Sequence, residues 1–71
     1  MKIHYDERSD ALSIKLKESK YFESDEIREG FILDFDEEGN IIGMEILDAS
    51  RYLNPDELSS VKFDVEKIVA A

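Results

Sequence analysis

The chain has 71 residues, 18 acidic side chains against nine basic ones, a formal charge of −9 and no cysteine. A chain this short holds one domain and buries only about 60% of the surface its unfolded state exposes, with no disulfide or cysteine–histidine zinc site to staple it. The charge argues against nucleic-acid phosphates and anionic membrane surfaces as partners, since both are bound through Lys and Arg.

Met1-Lys2-Ile3-His4-Tyr5-Asp6 lacks the apolar stretch of a secretory signal, and no apolar run approaches the ~20 residues that span a bilayer. A cytoplasmic protein is expected. Unstapled domains of this size lean on association, so a homodimer is expected too.

Ile3 and Tyr5 alternate with Lys2 and His4, and Leu12, Ile14 and Leu16 alternate with Ser13, Lys15 and Lys17. Period-two alternation marks half-buried strands, and the polar run at residues 6–10 joins them as a hairpin. Residues 18–24 form a connector carrying Tyr21 and Phe22. Residues 25–29 fit a short, polar edge strand with Ile27 as its apolar contact, and Gly30 marks a turn or bulge.

Residues 31–35 and 41–47 are the strongest strands. Phe31, Leu33 and Phe35 share one face of the first, and Ile42, Met44 and Ile46 share one face of the second. Keeping both sets on one side calls for an even loop, which residues 36–39 supply with Gly39 at positive φ. The expected pairs are Leu33 with Ile42 and Phe31 with Met44. The opposite side carries Ile32, Ile41, Gly43 and Leu47 beside Asp34 and Glu45. A sheet with apolar residues on both faces wants cover on both.

Asp48 is placed to cap a short helical turn. Asn54-Pro55-Asp56-Glu57 is a sharper start, with Asn54 as N-cap, Pro55 first in the helix and Glu57 closing a capping box. Beyond it Leu58, Val61, Val65, Ile68 and Val69 match a helical stripe, while Val61, Phe63 and Val65 equally match a strand. The β-branched and aromatic content favours a short helix followed by a strand. The expected fold is therefore α+β: one domain over residues 1–71, with an antiparallel β-meander at 1–47 and a short helix plus a strand or tail at 48–71.

No catalytic constellation stands out. His4, the single histidine, sits at an outward strand position without convergent partners. Asp6 and Asp10 bracket a turn and would share a cation only with more oxygens than the loop offers; aspartates also bond their own turn backbone. Asp34, Asp36, Glu37, Glu38 and Glu45 gather near the central hairpin, but acid–base work needs a cleft as well. No phosphate-loop, dinucleotide or nucleophile-elbow pattern occurs. No cofactor, metal site or enzyme activity is expected.

Tyr5-Asp6, Asp10-Ala11-Leu12 with Ile14, Gly30, Asp34-Phe35-Asp36 with Gly39, and Gly43-Met44-Glu45-Ile46-Leu47-Asp48-Ala49-Ser50 occur in this order. Over residues 3–53 that pattern resembles the domain of unknown function 2283 family of small bacterial and archaeal proteins. The resemblance implies a compact antiparallel sheet with little helix and supplies no established activity, cofactor or catalytic residue. It also implies an antitoxin-like role beside a small basic toxin of RNase type.

The leading expectation is a non-enzymatic protein-interaction module, homodimeric and able to bind a basic protein partner. Its contact candidates are Tyr21, Phe22, Ile32, Ile41, Leu47 and Tyr52. The alternative is a divalent-cation or small-ligand binder using Asp6, Asp10 or Asp34 and Asp36.

Overall fold

The computed structural model describes residues 1–69. In chain order the elements are β1 (Lys2–Asp6), β2 (Ala11–Lys15), β3 (Glu23–Arg28), β4 (Phe31–Phe35), β5 (Ile41–Leu47), a 3-10 turn at Ala49–Arg51 and α1 (Pro55–Ser59). The strands form one antiparallel sheet in the order β1-β2-β5-β4-β3. The α+β class holds with sheet predominating, and the expected domain's last two residues lie outside those described.

The strand order corrects the simple meander. β3, β4 and β5 follow one another as hairpins, but β5 then pairs with β2, so the four form a Greek key. The sequence explains the choice. β5, Ile-Ile-Gly-Met-Glu-Ile-Leu, is the most apolar strand and takes two neighbours. β3, Glu-Ser-Asp-Glu-Ile-Arg, is exposed along its whole length and sits at an edge, where charge discourages pairing with other chains.

The β4–β5 register also departs from expectation. Leu33 pairs with Met44 and Phe31 with Ile46, two residues beyond the expected partners. The turn is odd: the Asp36 amide donates to the Asn40 carbonyl (3.0 Å), with residues 37–39 between them and Gly39 at φ 82°. An odd loop alone would put Leu33 and Met44 on opposite faces. A bulge restores the parity: Phe35 pairs with Ile41 and Asp34 with Gly43, leaving Ile42 as the extra residue. Ile42 turns inward to 5% exposure and Ile41 outward to 45%.

The Asn54 capping box forms as its sequence dictates, with the Glu57 amide donating to Asn54 Oδ1 and the Asn54 amide to Glu57 Oε1, both at 2.9 Å. The expected Asp48 cap does not form. Asp48 adopts a left-handed φ of 52° and makes no side-chain cap bond. The expected final strand is absent as well. Residues 60–69 take no secondary structure and pair with no strand of the sheet.

Among the described residues only Ile42, Gly43 and Ala49 are buried. The molecule measures 47 × 36 × 19 Å, and its radius of gyration is 14.5 Å where a compact chain of this length has about 11 Å. It is a single layer with a partial cover.

Candidate interaction surfaces

Register assigns the two faces. On one, Ile3, Ile14, Met44 and Leu33 form a row across four strands, and Tyr5, Leu12, Ile46 and Phe31 form the next. Directly opposed residues share a face, so these rows make one apolar surface. Its cover is thin. Tyr52 meets Phe31 edge to face, with centroids 4.9 Å apart, and Leu53 and Leu58 stand over the β1–β2 end. Between that cover and Ile3, Tyr5, Leu12 and Ile14 lies an open groove of ≈ 470 Å³, which Val61 also borders. All eight residues of the two rows stay partly exposed, Ile3 to 40%.

One polar cluster fixes the cover to the sheet. Asp10, at φ 55°, accepts a hydrogen bond from the Tyr5 hydroxyl (2.7 Å) and from the Ser50 amide (3.0 Å) and hydroxyl (2.6 Å). Its carboxylate thus performs the capping expected of Asp48, from 40 residues away in sequence. The bonds from Ser50 and Tyr5 hold the Asp10 carboxyl below its usual value, and the same bond pushes Tyr5 up to about 12.

The other face is polar. The residue 16–22 connector passes over it, and Ser19 and Tyr21 wall a shallow groove of ≈ 260 Å³ with Ser13, Lys15, Asp34 and Glu45. Gly43 forms the floor, where a Cβ would meet the Ile14 carbonyl oxygen at 3.1 Å and Asp34 Oδ2 at 3.4 Å. Ser24 donates to Asp34 (2.6 Å) and shares a hydrogen bond with the Tyr21 hydroxyl (2.8 Å). Burial pushes the Glu45 carboxyl above its usual value, and the Asp34 charge and hydrogen bond push it further. Such a pair suits a cationic group presented from outside.

The turn carboxylates serve the chain itself. Asp6 accepts from the Arg8 amide (3.0 Å). Asp36 accepts from the Asn40 amide (2.9 Å), the Glu38 amide (3.0 Å) and Ser19 (3.2 Å), which lower its pKa, the Asn40 bond foremost. Among the described residues no three His, Asp or Glu side chains converge on one point. His4 is exposed, as expected.

The six contact candidates do not form one patch. Tyr21 overhangs the polar groove, Phe22 lies beside it in the connector, and Leu47 and Ile32 belong to the polar face. Ile41 is at the hairpin end opposite Phe35, and Tyr52 lies on the apolar side. All but the half-buried Ile32 are exposed. Sequence reasoning missed the Tyr5–Asp10–Ser50 cluster, although Asp10-Ala11-Leu12 and Asp48-Ala49-Ser50 carried the signal.

Residues 2–50 match the family described as Protein of unknown function (DUF2283). An uncharacterised protein of Methanocaldococcus jannaschii is 37% identical over 65 residues, covering 87% of this chain and 53% of the relative. The chain therefore spans about half the length of that relative. No solved structure matches. No helix among the described residues is long and apolar enough to cross a membrane.

Proposed function

From the premise that the chain belongs to the DUF2283 family of proteins of unknown function, we propose that it is a non-enzymatic interaction module whose apolar sheet face is completed by another polypeptide. The observation that carries this reading is the one-layer architecture. Two rows of apolar side chains lie open on a sheet where, among the described residues, Ile42 is the one buried apolar side chain. Apolar surface of that extent normally marks an interaction site. An environment-sensitive apolar dye tests it. Dilute chain should bind dye on the open face and release it when the face is covered. A dilute, isolated chain that binds no dye and melts cooperatively would refute it.

A second reading draws on the polar groove and extends to a basic partner, the antitoxin-like role. The Asp34–Glu45 pair and the −9 charge support it. Titration with an arginine-rich peptide should quench Tyr21, with an affinity that falls steeply with salt. A response unchanged by Glu45→Gln and by salt counts against it.

A further inference from the structure

We infer that the cover of the apolar face is a second copy of this chain, seated face to face, with residues 61–65 of each copy running along the β1 edge of the other. This rests on the reading above and adds the identity of the occupant.

The exposed area has the right size. The chain exposes 6091 Å², against about 4,500 Å² for a compact monomer of its 8.2 kDa, an excess of roughly 1,500 Å². Two chains each hiding that excess would bury about 3,000 Å², within the range of obligate homodimers. Ile3 and Tyr52 on the sheet's apolar side and Val61, Phe63, Val65, Ile68 and Val69 in the tail are among the exposed apolar residues.

Charge selects the face. Two chains of −9 repel wherever their acidic surfaces meet. The polar face carries Asp34 and Glu45, whereas the central rows of the apolar face carry no ionised group at neutral pH. The sheet's own acids on that face, Glu23 and Asp25, lie at the β3 margin opposite Phe35 and Leu33, and Glu57, which borders the groove, is engaged by the Asn54 amide. A two-fold axis through the apolar rows makes the surface its own complement.

The tail selects the edge. Val61, Phe63 and Val65 alternate with Lys62 and Asp64 and are exposed to 63%, 74% and 55%. Five extended residues cover about 17 Å, the length of the five-residue β1. Beside β1 the tail's apolar residues would extend the two rows begun by Ile3 and Tyr5. Beside β3 they would lie against Glu23 and Asp25. Addition to β1 also satisfies the open backbone groups of that edge.

The test combines light scattering with cross-linking, which a cysteine-free chain allows cleanly. The full chain should be a dimer at micromolar concentration. Ending the chain at Ser60, or substituting Phe63→Asp in the full chain, should weaken the dimer at least tenfold. A His4→Cys chain mixed with an Asp64→Cys chain should form a disulfide between the two. A monomer that binds apolar dye overturns the inference while leaving the face to another partner. A monomer that binds none overturns both. A dimer indifferent to Phe63→Asp, with no mixed disulfide, also overturns the arrangement.

Discussion

Replacing Ile42 or its neighbour Ile41 by alanine probes the bulge that sets the central register. Ile42 is 5% exposed and Ile41 45%. Ile42→Ala removes three buried carbons, about 2.4 kcal/mol of transfer energy, and cavity formation brings the cost to about 3 kcal/mol. Ile41→Ala removes carbons already half in water, for about 1 kcal/mol. A 71-residue domain has roughly 4–10 kcal/mol in total, so the first change takes a large share. It should lower Tm by about 12–24 °C and the second by about 4–8 °C. Urea unfolding followed by circular dichroism and tyrosine fluorescence, at one fixed concentration, measures both with an unchanged m-value. Equal losses, or a larger loss at Ile41, would refute the inward placement of Ile42 at the bulge.

Asp10→Ala should release the 3-10 turn and lower Tm by roughly 5 °C, the usual effect of a lost cap in a small domain. Because the folded Asp10 pKa is depressed, its stabilisation is present above about pH 4 and is lost as pH falls through the folded value, so variant and parent should converge in acid. In the parent, absorbance at 295 nm should show one tyrosine titrating near 12; in the variant that late step should vanish. Glu45→Gln carries the opposite sign. A raised carboxyl favours folding below about pH 4 and loses that advantage as pH rises through its folded value. At pH 7 the variant should melt a few degrees higher, with the gap closing in acid; a lower melting point at pH 7 would refute the proximity of Asp34.

Period-two alternation placed β1, β2, β4 and β5; β3, read from its polarity as an edge strand at 25–29, begins two residues earlier, at Glu23, and Asn54-Pro55-Asp56-Glu57 specified its capping box locally. The partner of β2 was not legible, since alternation says which side a residue faces and nothing about the neighbouring strand. The Ile42 bulge was hidden for a related reason: an odd loop plus one extra residue keeps the same parity as an even loop. Asp48 was the natural cap by proximity, and Asp10 took the role through a contact that exists only once β2 lies beside β5. The tail's alternation pointed to a strand that does not form, since a pattern becomes a strand only where an edge receives it.

The seam between β2 and β5 also imposes an order in time. Its paired residues, from Lys15 with Gly43 to Ala11 with Leu47, stand about 30 positions apart, a loop closure that favours late joining. A ribosome adding 5–20 residues per second needs roughly 2–6 seconds to make that stretch, whereas a hairpin closes in about 1–10 microseconds. The nascent β1–β2 hairpin therefore waits, marginally stable, with one strand edge reserved for a sequence not yet translated. Lys15, beside Lys17 just past the strand's end, puts positive charge on that waiting edge, which discourages capture by a neighbouring nascent chain.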